Sequence, residues 1–212
     1  FYSCLPDLLA AAGHVIVECA QKLAPILAKS FPAATIHGGN PGDSQSWLAT
    51  IPSIDLQVPI GSLPLYFRKH REAFPQHTGY LKTDPSAVAA WRERLDALGP
   101  GLAVGISWRG GTRISRRQIR SIKLEDWLPI LRLQGVHFVS LQYDEHDQEI
   151  QRLANQHGIR VTQWKDALDD FGQTAALVSA LDLVVSVCTT VIHLSGALNK
   201  EAWVLVPACP EW

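Results

Sequence analysis

Methionine is missing from all 212 residues, and cysteine occurs four times, at Cys4, Cys19, Cys188 and Cys209. No two of these form a Cys-x-x-Cys pair, so neither a zinc ribbon nor a dithiol centre is expected. Their scatter reads instead as buried, reduced thiols of a cytoplasmic protein. The eight histidines are also dispersed, and no metal site is expected from them. No apolar run approaches the roughly 18 residues that a membrane span needs, and neither end shows a signal-peptide or lipidation pattern. Neither sign of charge is in excess. Lys and Arg total 19 against 20 Asp and Glu, a formal net charge of −1, so the global basic field of a nucleic-acid binder is lacking. Walker A, Gly-x-Gly-x-x-Gly after a strand, His-Glu-x-x-His and Gly-x-Ser-x-Gly are absent, together with the chemistries they signal. The missing Met, a start at Phe1 within a helical pattern and a stop at Trp212 just after a strand predict a piece of a longer protein.

What is present is α/β alternation. The first region, 1–82, predicts a helix over Phe1–Ala12 and a strand over His14–Cys19. A helix over Gln21–Lys29, a strand over Ala34–His37 and a loop over Gly38–Asp43 follow. A further strand is expected over Asp55–Ile60, with Pro59 near its end. Pro75–Pro85 reads as a linker. In the second region, 83–212, a helix over Ala87–Leu98 precedes strands at Leu102–Trp108, Val136–Gln142, Arg160–Gln163, Leu183–Val187 and Ala202–Val206. Helices are expected between them at Leu124–Gln134, Glu145–His157, Thr174–Leu181 and Val191–Leu198. Continuously apolar strands separated by such helices indicate parallel, doubly covered sheets. We read two Rossmann-like parallel-sheet domains, the N-terminal one incomplete.

Ligands of open α/β sheets bind outside the carboxyl ends of the strands, and three such ends are polar here. The richest is Leu183–Leu198, a buried strand running into a helix through Cys188-Thr189-Thr190, with His193 in the first helical turn. A helix started there presents backbone N–H groups and a partial positive charge to an anion, and Thr189 or Thr190 can cap it. The second is Trp108-Arg109-Gly110-Gly111-Thr112, followed by Arg113, Arg116, Arg117, Arg120 and Lys123. These can neutralise a diphosphate or simply form a solvated basic loop. The third is Ser140–Asp144, where Gln142 can bond a base or ribose or merely satisfy the turn. Thr174, after Asp170-Phe171-Gly172-Gln173, can cap its own helix.

Taken in order, these blocks resemble bacterial glycosyltransferases associated with tetratricopeptide repeats. That family is related to the heptosyltransferases of lipopolysaccharide synthesis and more loosely to O-GlcNAc transferases. The likeness lies in Val104–Gly111 with Arg120–Leu124, in Asp170–Leu177 through Leu181–Val184, and in Thr189–Leu198 with Ala202–Pro207. It ends at Glu211-Trp212. It is strong over about residues 100–212 and weaker over 1–82.

The resemblance implies a GT-B fold, with 1–82 a partial acceptor-side domain and 83–212 the domain that holds a nucleotide sugar. It implies metal-independent sugar transfer, without a cofactor, from a nucleotide-diphosphate donor to a protein, lipid or glycan acceptor. Tetratricopeptide repeats upstream would favour a protein acceptor. Carried over residue by residue, Thr189, Thr190, His193, Arg109 and Lys123 attend the donor diphosphate. Trp108, Gln142 and Thr174 line the nucleoside and sugar. The family usually has Asp where this chain has Cys188. Its acceptor-activating acid belongs to a glycine-rich loop expected before Phe1, and neither Asp7 nor Glu18 sits in a matching motif. The alternatives are a non-catalytic nucleotide- or sugar-binding module on the same fold, and an epimerase-like hydrolase.

Overall fold

A computed structural model describes residues 2–40, 42–51, 53–76, 78–111 and 117–209. The chain divides into two compact units, Phe1–Lys82 and Thr83–Trp212.

The first unit is built on a parallel β-α-β element. Strands β1 (Ile16–Ala20) and β2 (Thr35–Gly39) pair from Ile16↔Thr35 to Ala20↔Gly39. Helix α1 (Leu5–Ala11) precedes β1, and α2 (Ala24–Ser30) makes the crossover. The expected loop at Gly38–Asp43 begins later than its composition suggests, because Gly38 and Gly39 complete β2. A Cβ on Gly38 would stand 2.6 Å from Gln21 Oε1 and 2.9 Å from the Ala24 Cβ, so glycine here lets the crossover lie close on the strand. The strand expected over Asp55–Ile60 does not form. Leu56 is 92% exposed, and although Leu56, Val58 and Ile60 alternate as in a strand, they meet no partner strand; Pro59 also lacks a donor. Helix α3 (Leu63–Phe67) ends at the buried Arg68, whose guanidinium donates to Asp7 Oδ2 at 2.7 Å and to the Ser3 carbonyl at 2.9 Å. Asp7 is thereby part of a structural ion pair.

The second unit opens with α4 (Pro85–Asp96), capped by Asp84, whose carboxylate accepts from the Ser86 N–H at 3.0 Å. Its sheet comprises β3 (Leu102–Ser107), β4 (Val136–Ser140), β5 (Val161–Thr162), β6 (Leu183–Val187) and β7 (Ala202–Leu205), all parallel, in the order β5-β4-β3-β6-β7. Between strands run α5 (Leu128–Leu131), α6 (Asp147–His157), α7 (Lys165–Asp169), α8 (Phe171–Ala180) and α9 (Thr190–Ala197). Helices cover both faces, as the apolar strands require. On one face Val104, Ile106, Phe138, Val185 and Val187 pack with Trp127, Ile150 and Leu153. The alternate residues face the other side, where Gly105 leaves room for Leu141 and Leu181; a Cβ would come within 2.7 Å of each.

Boundaries differ from expectation in a few places. The segment expected as one helix over Leu124–Gln134 is a 3-10 turn (Leu124–Trp127) followed by the short α5. Helix α7 was not expected at all. Cys4 and Cys19 are buried thiols as anticipated, but Cys188 is only half-buried and Cys209 is exposed.

Candidate functional site

In strand order β5-β4-β3-β6-β7 the first two connections run one way from β3, and the chain then crosses to β6 on its other side. The loops after β3 and β6 therefore diverge at a topological switch point, where open α/β sheets form their ligand crevice. Two of the three polar segments singled out in the sequence, those after β3 and β6, lie there.

After β6, Thr189 is the N-cap of α9, its Oγ1 accepting from the Val191 N–H at 3.2 Å. The hydroxyl of the buried Ser186 lies 3.1 Å from Thr189 Oγ1 and fixes the cap from below. Thr190 and His193, on the first turn, are exposed. Desolvation by surrounding protein lowers the His193 pKa, and the positive charge of Arg120 adds to the shift. The shift favours the neutral imidazole, and an anion bound beside it would favour the protonated form, the proton coming from solvent.

The loop after β3 packs directly on this turn. A Cβ on Gly110 would lie 2.8 Å from the Cys188 carbonyl oxygen, 3.1 Å from that of Arg120 and 3.2 Å from Thr189 Cγ2. Only glycine lets the two loops approach so closely. Arg120 donates to the Cys188 carbonyl at 3.2 Å, and the Cys188 thiol points toward the Leu205 carbonyl, 4.0 Å away. Lys123 is exposed, and among the described residues nothing pairs with it. Thr112, Arg113 and Arg116 lie outside the described residues, as does Glu211-Trp212.

The remaining residues predicted to touch a ligand are engaged internally. Gln142 is buried: its Oε1 accepts from Ser107 Oγ at 3.2 Å, the Trp108 N–H at 3.2 Å and the Arg109 N–H at 3.0 Å. Its Nε2 donates to the Arg109 carbonyl at 3.2 Å and to Asp144 Oδ1 at 2.8 Å. One amide thus holds the whole exit of β3. Trp108 is fully buried, donating through Nε1 to Glu149 Oε2 at 2.8 Å. The Arg109 guanidinium binds Glu149, Asp144 Oδ1 at 2.9 Å and the Glu145 carbonyl at 2.8 Å. Arg117 also pairs with Asp144. Despite the opposing effect of burial, Arg109, Gln142 and Arg117 hold the Asp144 carboxyl below its ordinary range.

Thr174 is not a cap. Asp170 caps α8 by accepting from the Gln173 N–H at 2.8 Å, while the buried Thr174 hydroxyl donates to the Ala167 carbonyl at 2.6 Å. Sequence reasoning passed over Glu149 and Tyr143. Glu149 was visible only as an acid in the first turn of α6, a position helices favour for their own reasons. Tyr143, 46% exposed at the exit of β4, shares a hydrogen bond with Thr174, and burial nonetheless leaves its phenol pKa raised. An exposed ring next to a predicted nucleoside residue was the available signal.

Among the described residues no cluster of three or more His, Cys, Asp or Glu side chains is arranged to hold a metal ion, and no helix is long and apolar enough to cross a membrane. No family model matches the chain. It is 29% identical over 220 aligned residues to Protein FlbA of Caulobacter vibrioides, covering 98% of this chain and 37% of that protein. The chain therefore spans little more than a third of that curated relative. Among solved structures it is similar to the E. coli heptosyltransferase WaaC with ADP, at 19% identity and a TM-score of 0.44 over 96% of this chain and 63% of that one. It is also similar to POFUT1 in complex with GDP, at 15% identity and a TM-score of 0.37 over 89% and 70% of the two chains.

Proposed function

We propose that residues 83–212 are the donor-binding domain of a metal-independent GT-B glycosyltransferase, and that the crevice between the loops after β3 and β6 takes a nucleotide-diphosphate sugar. The observation that carries this reading is the closure of Gly110 onto the Cys188–Thr189 turn, which sets a glycine loop beside a capped helix N-terminus at the switch point. In this reading the diphosphate lies on the first turn of α9 against Thr189, Thr190 and His193, with Lys123 as a mobile cation. As the sugar–phosphate bond breaks, negative charge grows on the leaving diphosphate. The α9 amides and a protonated His193 offset that charge where it develops. Tyr143 offers its ring to the nucleoside. Trp108, Arg109, Gln142 and Thr174 shape the site from beneath rather than by direct contact, since, apart from Arg109 Nε, their side-chain polar groups already have internal partners. The acceptor in this reading is a protein or glycan, and residues 1–82 are the acceptor-side domain.

The test is a thermal-shift screen of UDP-, GDP- and ADP-sugars on the full-length protein. A binding member raises the melting temperature by several degrees when present at about a hundred times its Kd, and His193→Ala reduces that shift. If no nucleotide sugar moves the transition, the donor site is wrong.

A further inference from the structure

A concavity of this unit lies at the other end of the sheet, away from the switch point. Its volume is about 600 Å3, and it opens where β4 and β5 begin. Gly135 and Gly158, with φ of 72° and 67°, turn the chain into those strands, and Gly158 lines the concavity. Its lining is mixed, with Leu98, Leu133 and Val136 supplying apolar surface. Arg132, His137, His157 and Arg160 stand around it, and no carboxylate is among its lining residues.

This charge is not consumed locally. At the switch point Arg109 and Arg117 are paired with Asp144 and Glu149. Among the described residues the side chains of Arg132, His157 and Arg160 have no such partner. Arg132 and His157 follow or end helices, where a cation complements the carbonyl dipole. Arg160 and His137 belong to the strand side and have no such task; His137 merely lies 3.2 Å from the Pro100 carbonyl through Nε2. An anion entering here meets two guanidinium forks without breaking an existing ion pair. Beside these charges, the exposed Leu133 with Leu98 and Val136 offers an apolar contact to a ligand that carries more than a bare anion, and the volume falls in the range of small-molecule sites.

We infer that this concavity binds a phosphomonoester bearing an apolar or ring body, at a site separate from the proposed donor crevice. The probe is phenyl phosphate, titrated into the full chain at millimolar concentrations while the histidine ring resonances are followed by NMR. The His137 and His157 signals move together and saturate. Inorganic phosphate moves them at higher concentration, and benzyl alcohol does not move them. The double variant Arg132→Gln/Arg160→Gln weakens the apparent affinity at least about tenfold without lowering the melting temperature, since both side chains are exposed. Static resonances under phenyl phosphate, equal affinity in the double variant, or an equal response to benzyl alcohol would each overturn the inference. A nucleotide-sugar titration read at His193 reports on the donor crevice separately, so either site can fail alone.

Discussion

Replacing Gln142 by Leu separates an architectural role from a ligand-binding one. The two side chains are similar in volume, so the substitution removes hydrogen bonds and adds little strain. It strips an acceptor from the Trp108 and Arg109 N–H groups and from Ser107 Oγ, and a donor from the Arg109 carbonyl and Asp144. A buried polar group left unpaired costs about 1–3 kcal/mol. The Trp108 amide is enclosed and incurs this cost in full, whereas the half-buried Arg109 amide recovers part of it from water. The sum is about 2–4 kcal/mol, which for a unit of this size lowers the melting temperature by roughly 10 °C. Differential scanning calorimetry of wild type and Gln142→Leu measures it, with Lys123→Ala as the contrast. Lys123→Ala leaves the transition in place and diminishes the stabilisation by nucleotide sugar. Gln142→Leu does the reverse, shifting the transition and keeping most of the ligand response. A Gln142→Leu protein that melts within about 2 °C of wild type yet no longer responds to nucleotide sugar would refute this reasoning and make Gln142 a direct ligand contact.

Other expectations follow from the same geometry. Gly110→Ala drives a methyl against two backbone carbonyls that cannot rotate away, so the loops must part; nucleotide-sugar affinity falls at least about tenfold by calorimetric titration, at a stability cost of about 1–3 kcal/mol. The folded His193 pKa is lowered, so its contribution to stability is present above about pH 6.5 and is lost as pH falls. An anion reverses that shift, so nucleotide-sugar affinity rises between pH 8 and pH 6 in wild type and less so in His193→Ala, which binds about three- to tenfold more weakly at pH 6. The Asp144 pKa is also depressed, so the stability its pairs contribute is complete above about pH 4 and disappears as pH drops through the lower folded value. Asp144→Asn flattens that acid limb in urea titrations. Tyr143→Ala reduces nucleotide affinity more than it reduces thermal stability.

The second unit's sheet was legible because its strands are apolar on both faces and each is closed off by a turn former or a helix. Leu183–Val187 matches to the residue, and the other four strands to within two residues at either end. Periodicity failed where it had no tertiary partner. Leu56, Val58 and Ile60 alternate like a strand, but alternation measures only which side a residue would face, not whether another strand is there to bond it. Composition misled at Gly38-Gly39, where glycine marks a close helix crossing instead of a loop. At the site, the Thr189 cap was readable, since a hydroxyl between an apolar strand and an apolar helix has few other tasks. Gln142, Trp108 and Thr174 stood at readable positions, but their role depends on burial and on partners distant in sequence, such as Glu149 for Trp108. No local pattern encodes such pairings.

The arginines of the loop after β3 illustrate how that limit changes the electrostatics. Read along the chain, Arg109, Arg117, Arg120 and Lys123 add to a strong anion trap. Folded, Arg109 and Arg117 face Asp144 and Glu149, two positive charges against two negative, and contribute almost no net field at the switch point. In the proposed donor site, what would reach an incoming diphosphate is the α9 amide dipole, the Thr189–Thr190 turn, Lys123, and Arg120 held against the Cys188 carbonyl. Two cations and a half-charge dipole opposed to the two charges of a bound diphosphate diester leave the occupied site about half a charge positive. In the proposed reaction, protonation of His193 would offset the third negative charge that grows on the diphosphate as the sugar leaves. A site balanced in this way stabilises a leaving diphosphate more than it stabilises an empty crevice, because the last positive charge appears only in response to the ligand's own field. The ionic-strength dependence of nucleotide-sugar binding should accordingly be shallow, with a slope set by about two cations instead of four. A steep dependence would return Arg109 and Arg117 to the ligand and require their pairs with Asp144 and Glu149 to open on binding.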